Sequence, residues 1–170
     1  MCYTCVRECP AKAIRIQDGQ AKVISDRCIG CGNCVRVCSQ EAKKVRVSIP
    51  ETAELLKQNE KVAACLAPSF PAAFPQYDYR KVVDMVRKLG FDYVHEVGFG
   101  ADLVAEQYRR LFSKEPNAHY IATTCPAIVN YVQSYYPELI PNLAPVVSPM
   151  EAAALALRSL YGDDVKVVFI

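Results

Sequence analysis

The hydrophobic and polar positions change rhythm along the chain. Val62-Ala63-Ala64-Cys65-Leu66 is a continuous apolar run, the pattern of a strand buried on both faces. Val82, Met85, Val86 and Leu89 then recur at i, i+3, i+4 and i+7, which puts them on one helix face. Tyr93 to Val97 reads as the next strand, and Val104, Tyr108, Leu111 and Phe112 as the next helix face. His119 to Ala122 reads as a third strand, followed by a third helix face of Ile128, Val129, Val132 and Tyr136. Ser148-Pro149-Met150-Glu151 combines a Ser cap, a Pro at the first helical position and a Glu three residues after the cap, which starts a helix. Gly162 marks its stop, and Val165 to Ile170 is a fourth strand.

Alternation of this kind implies an α/β domain with a mostly parallel sheet covered on both faces. Ligands gather at the C-terminal ends of such strands. That rim is expected to carry Ala67-Pro68-Ser69, Gly98-Phe99-Gly100 and Thr123-Thr124-Cys125-Pro126. A closing strand without a covering helix reads as a truncation.

The first 47 residues follow a different rule. Cys2, Cys5 and Cys9 map at an offset of 29 onto Cys31, Cys34 and Cys38, and Ala13 and Ile16 onto Ala42 and Val45. Each copy reads as one loop plus one short strand. The second copy is complete as C-x2-C-x2-C-x3-C with Cys28 at its head; by the same offset the first is expected to begin with a cysteine two positions upstream of Met1. Residues 50–59 read as a short connector helix. The expected organisation is therefore a dicluster segment over 1–48, a linker over 49–60 and the α/β domain over 61–170.

Composition narrows the chemistry. The chain has 170 residues, 52% of them hydrophobic, which excludes disorder. Its longest apolar stretches, Val62 to Ala67 and Ala152 to Leu157, reach six residues, where a bilayer span needs about 20. No secretory signal precedes the first cysteines, so a cytoplasmic location is expected, and there nine cysteines point to metal ligands or reactive thiols rather than disulfides. Residues 1–47 carry nine Lys/Arg against four Asp/Glu, a balance of +5, and the remainder eleven against fourteen, a balance of −3. Arg7, Lys12, Arg15, Arg27 and Arg36 are read as compensating anionic metal clusters. Nucleic-acid binding is not expected, because no stacking aromatics or known motif accompany these charges.

The C-x2-C-x2-C-x3-C run turns three thiolates onto one iron-sulfur cluster while the fourth reaches the other. Applied here, Cys28, Cys31, Cys34 and Cys9 form one complete 4Fe-4S ligand set. Cys2, Cys5 and Cys38 form a second that lacks one ligand. Paired C-x2-C motifs also build zinc sites, but a four-ligand zinc site has no use for the third and fourth cysteines that recur in both copies. Cys9-Pro10 fits the ending of the ferredoxin run, whereas Ser39 follows Cys38. Cys125, between a strand end and Pro126 at a helix start, is open to two readings: a reactive or ligating thiol near the helix dipole, or an inert one in a tight turn. Cys65, His95 and His119 are read as structural.

These residues resemble the FeFe hydrogenases, in which ferredoxin-type clusters precede a domain holding the hydrogen-activating H-cluster. The specific motifs are Leu66-Ala67-Pro68-Ser69, Phe99-Gly100-Ala101-Asp102-Leu103, Thr123-Thr124-Cys125-Pro126 with Asn130-Tyr131 and Tyr135-Tyr136-Pro137-Glu138-Leu139, and Ser148-Pro149. The resemblance covers essentially the whole chain. It implies an α+β ferredoxin-like dicluster domain followed by a truncated hydrogenase large-subunit domain. It further implies that Cys125 ligates the H-cluster cubane and that Pro68 and Ser148 lie in the cofactor-binding segments. Thr124 stands where the family carries a proton-relay cysteine; other relay positions fall on Tyr108, Leu111 and Ala144. The family's remaining H-cluster cysteines follow the strand that ends at Ile170, so this chain alone is expected to be a fragment without hydrogen chemistry.

Three functions follow from the resemblance. The full-length protein is an oxidoreductase interconverting protons and hydrogen; or a hydrogen or redox sensor with an appended regulatory domain; or a non-catalytic 4Fe-4S electron-transfer or cluster-assembly protein. An acidic ferredoxin or flavodoxin is the expected electron partner of the basic segment.

Overall fold

A computed structural model describes residues 2–58 and 60–170. In chain order the elements are α1 (Thr4–Arg7), β1 (Ile14–Gln17), β2 (Gln20–Val23), α2 (Asn33–Arg36), α3 (Ile49–Lys57), β3 (Val62–Leu66), α4 (Phe70–Ala73), α5 (Tyr79–Lys88), β4 (Tyr93–Glu96), α6 (Gly98–Lys114), α7 (Pro126–Tyr135), α8 (Pro149–Tyr161) and β5 (Lys166–Phe169). Two 3-10 turns lie at Ser25–Arg27 and Pro137–Asn142. The chain forms two compact units: one joins the residues up to Val47 with His119–Ala144, the other joins Ser48–Ala118 with Pro145–Ile170. Among the described residues no helix is long and apolar enough to cross a membrane.

The second unit is a three-stranded parallel sheet in the order β4-β3-β5. The central strand β3 is buried at all five residues, as its unbroken apolar run requires. Its side chains alternate between faces. Val62, Ala64 and Leu66 pack with Phe70, Val82, Val86 and Phe91 on one side; Ala63 and Cys65 pack with Val97, Ala153, Leu157 and Val165 on the other. The Asp92 carboxylate accepts from the Val62 N–H at 2.8 Å and ties the start of β3 to the segment entering β4.

Helix ends follow local chemistry. Asp78 caps α5 by accepting from the Arg80 N–H. Ser148 caps α8 by accepting from the Glu151 N–H at 3.2 Å, with Pro149 inside the first turn and Gly162, at φ 104°, closing the helix. Where α6 meets α8, a Cβ on Gly100 would stand 2.1 Å from the Pro149 carbonyl oxygen and 2.9 Å from the Ala153 nitrogen. Only a residue without a side chain permits this approach.

The expected third strand does not join the sheet. At His119 to Ala122 only Ile121 pairs, in a single parallel bridge with Leu143, and both residues belong to the first unit. A strand in a parallel sheet needs apolar residues on both faces; His119-Tyr120-Ile121-Ala122 lacks the continuity of Val62–Leu66. Gly98-Phe99-Gly100 stands at the C-terminal end of β4 as expected, but already forms the first turn of α6.

In the first unit β1 and β2 form an antiparallel hairpin with Gln17 paired to Gln20. The intervening Asp18 and Gly19 both have positive φ, 51° and 72°, the mirror-image turn that matches strand twist. The equivalent stretch of the second copy, residues 43–46, forms no strand. No return segment follows it, because Pro50 already lies in the first turn of α3.

Candidate metal centres

The repeat is expressed in backbone geometry. The helices α1 and α2 are related by the same offset of 29, and each is entered through a left-handed residue, Tyr3 at φ 51° and Gly32 at φ 71°. Each run then turns after its last cysteine through a second left-handed residue, Lys12 at φ 48° and Glu41 at φ 50°. The N–H of Val6 reaches the Tyr3 carbonyl and that of Val35 the Gly32 carbonyl, both at 3.0 Å.

Two cavities result. One is lined by Cys9, Cys28, Cys31 and Cys34 among apolar residues that include Ala11, Ala13, Ile14 and Ile29. The other is lined by Cys2, Cys5 and Cys38 together with Gln20, Gln40 and Lys43, whose ammonium donates to the Ala21 carbonyl. Each cavity therefore takes cysteines from both copies. Cys5 and Cys9 are buried, Cys34 and Cys38 half-buried, and Cys2, Cys28 and Cys31 exposed. Among the described residues no three His, Cys, Asp or Glu side chains are close enough to hold a single metal ion. In a cubane each thiolate takes a different iron and the ligands stand apart, whereas the sulfurs of a zinc centre converge on one ion at about 2.3 Å. The donor set fits 4Fe-4S clusters.

Hydrogen bonds prepare the sulfurs for negative charge. The Ala13 N–H donates to Cys9 Sγ and the Ala42 N–H to Cys38 Sγ, each at 3.3 Å. The Cys38 thiol is held below its ordinary pKa chiefly by that Ala42 bond. The Cys2 thiol is lowered as well, first by the Thr4 backbone N–H and then by the Thr4 hydroxyl.

The loops are braced by α7, a role the sequence reading did not assign. Ala127, Tyr131 and Tyr135 pack against the core formed by Cys5, Cys9, Ala11, Ala13, Ile14 and Ile29. The Tyr135 hydroxyl is shared between the carbonyls of Ala11 at 3.0 Å and Arg27 at 2.9 Å, and the Asn130 amide donates to the Ile29 carbonyl at 3.3 Å. Both residues lie in the motif stretch after Cys125, which was the only sequence signal they carried.

The other candidate residues lie elsewhere. Thr124 and Cys125 are exposed in the first unit, with Cys125 directly preceding α7 and lining neither cysteine cavity. Pro68 and Ser148 belong to the second unit: Pro68 is exposed just beyond β3, and the Ser148 hydroxyl caps α8. Cys65 is fully buried in β3, and burial pushes its thiol pKa up. His95 shares a 3.0 Å hydrogen bond with the Tyr161 hydroxyl.

A model of the iron only hydrogenase large subunit, C-terminal domain, matches residues 60–170, well over half of the chain. The chain belongs to the iron-only hydrogenase large-subunit family. A 4Fe-4S dicluster domain model matches residues 1–39, which contain all seven cysteines of the two runs. Relatives of this family member include iron hydrogenase 1 of Clostridium pasteurianum, 30% identical over 134 residues, covering 74% of this chain and 23% of the relative. The cytosolic Fe-S cluster assembly factor NAR1 of Yarrowia lipolytica is 26% identical over 155 residues, covering 82% and 32%. The NADP-reducing hydrogenase subunit HndD of Solidesulfovibrio fructosivorans is 26% identical over 155 residues, covering 80% and 26%. The chain thus spans a quarter to a third of the length of these relatives. It is an iron-sulfur protein related to FeFe hydrogenases and to NAR1-like proteins.

Proposed function

We propose that this chain is the electron-carrying portion of an FeFe-hydrogenase-type oxidoreductase. Cys9, Cys28, Cys31 and Cys34 hold one 4Fe-4S cluster, and Cys2, Cys5 and Cys38 supply three ligands of a second. The observation that carries this reading is the division of seven cysteines between two cavities, each drawing on both copies of the repeat. Bound clusters supply reversible one-electron transfer. The protein's own residues hold the sulfurs, donate N–H groups from Ala13 and Ala42 to them, and line one cavity with the apolar side chains of Ala11, Ala13, Ile14 and Ile29.

Anaerobic reconstitution with iron and sulfide tests the reading. About four irons per chain with matching acid-labile sulfide are expected for the complete ligand set, rising to about eight, with two interacting EPR signals after reduction, in a full-length protein that supplies the missing ligand. Bound zinc without sulfide would refute it.

Hydrogen activation by the full-length protein is the finer reading. Cys125 is then a ligand of the H-cluster cubane, with Pro68 and Ser148 in the cofactor-binding segments. This chain's residues alone do not fit that group, since one thiolate cannot hold a cubane. Hydrogen evolution or uptake by the matured full-length protein checks the proposal. A hydrogen or redox sensor is the second reading, favoured by Thr124, which stands beside Cys125 in place of a thiol. Thr124→Cys in the full-length protein is expected to raise turnover sharply if the relay limits it; an unchanged rate counts against this. The electron partner is an acidic ferredoxin-like or flavodoxin-like carrier attracted to the basic segment, so reduction rates should fall as salt rises.

A further inference from the structure

Three backbone carbonyls of the cysteine loops are held from α7. The Tyr135 hydroxyl donates to those of Ala11 and Arg27, and the Asn130 amide to that of Ile29. A trans peptide is planar, so its C=O and N–H point in opposite directions, and the described chain has no cis bond. Each carbonyl turned to α7 therefore sends the N–H of the next residue to the other side of its loop.

The three N–H groups differ in what they meet. That of Lys12 donates to the Cys9 carbonyl at 3.2 Å, and that of Cys28 to the carbonyls of Ile24 at 3.0 Å and Ser25 at 3.1 Å. The Gly30 N–H has no acceptor among the described residues. Gly30 stands between Cys28 and Cys31, both of which line the cavity of the complete ligand set. Gly30 at φ 74° and Gly32 at φ 71° are left-handed on either side of Cys31. Left-handed residues placed in this way gather successive N–H groups into an anion-binding concavity of the kind found at iron-sulfur sites. No residue of α7 lines the cavity, so Asn130 reaches it only through the Ile29–Gly30 peptide.

We propose that Asn130 is a positioning residue for the cluster of Cys9, Cys28, Cys31 and Cys34: by holding the Ile29 carbonyl it aims the Gly30 N–H at the cluster and raises its reduction potential. This deepens the reading of that ligand set and rests on it. Reduction adds one electron, and with it one negative charge, to the cluster, with no bond made or broken. An N–H aimed at that charge stabilises the reduced form. A donor on the carbonyl of the same peptide polarises the N–H further. The potential is thereby adjusted from a helix that lies outside the cysteine repeat.

An EPR-monitored redox titration of the anaerobically reconstituted chain, reduced stepwise by dithionite with mediator dyes, tests this. The wave of this cluster is the one that Cys34→Ala removes. Asn130→Leu keeps the size of the side chain and loses its donor; the reduced-to-oxidised ratio at the wild-type midpoint is expected to fall about threefold, which is about 28 mV at about 59 mV per tenfold for one electron. Asn130→Gln keeps the amide and returns the midpoint toward the wild-type value. Tyr135→Phe removes a bond of the same kind from peptides whose N–H groups are already engaged, so it loosens the cluster without moving the midpoint. Asn130→Ser serves if Asn130→Leu binds no iron. An unchanged or raised midpoint in the donor-less variants, an equal shift in Tyr135→Phe, or loss of the cluster from every Asn130 variant overturns the proposal and leaves the ligand set standing. Absence of acid-labile sulfide from the wild type removes both.

Discussion

The Ala42 N–H donates to Cys38 Sγ at 3.3 Å, and the same bond joins Ala13 to Cys9 one repeat earlier. These are the two cysteines that line the cavity of the opposite copy. A backbone donor four residues on fixes each sulfur as the chain leaves its own loop. The crossing thereby becomes a property of local backbone geometry as well as of spacing.

This crossing predicts which cysteines act together. Cys9→Ala and Cys34→Ala are expected to remove the same cluster, each lowering the iron count by about four, and the double variant to remove no more than either alone. Iron and sulfide analysis with EPR reads the result. Loss of two different clusters would contradict the ligand sets.

Tyr135 braces two cysteine loops through one hydroxyl. Tyr135→Phe keeps the ring packing and removes the bond, at a cost of about 1 kcal/mol. Faster loss of cluster absorbance to an iron chelator, with far-UV circular dichroism unchanged, is the expected outcome.

Gly100 and Gly98 begin the same helix in opposite surroundings. Gly100→Ala drives a methyl group into the Pro149 carbonyl and is expected to destabilise the fold by about 1–3 kcal/mol. Gly98 has nothing within 4 Å of an added Cβ, so Gly98→Ala should be neutral or stabilising by up to about 1 kcal/mol. Denaturant midpoints of the two variants separate the effects.

Burial raises the Cys65 pKa, and the sign of the resulting pH dependence is fixed. The folded protein keeps a neutral thiol, while the unfolded chain ionises near pH 8.5. This contribution to stability is present below that pH and is lost as pH rises above it. Cys65→Ala should flatten the alkaline limb of a stability profile, and iodoacetamide at pH 8 should label Cys65 only once denaturant unfolds the chain. Peptide mass spectrometry checks the labelling.

The legible parts of the fold were those with dense local signals. The unbroken run Val62–Leu66 and the Ser148-Pro149-Met150-Glu151 start each lead to one structure. Asp18-Gly19 carried an equally local hairpin signal, which the strand-plus-loop reading passed over. His119 to Ala122 failed for the opposite reason: an isolated Ile121 satisfies a strand pattern but cannot fill two faces of a sheet. In the candidate site, the division of the cysteines was readable because iron-sulfur chemistry links spacing to ligation. The bracing by Tyr135 and Asn130 was not, since it joins residues about a hundred positions apart through backbone carbonyls that carry no side-chain signature.

The exchange of Cys9 and Cys38 has a consequence for how such a unit can be divided. The second copy gives Cys28, Cys31 and Cys34 to one cavity and Cys38 to the other, and the first gives Cys2 and Cys5 to one and Cys9 to the other, so neither copy forms a finished pocket in isolation. Two such halves on separate chains would have to clasp hands to complete either one. On one chain the grip is made internally, and loosening either copy exposes a thiol in both cavities.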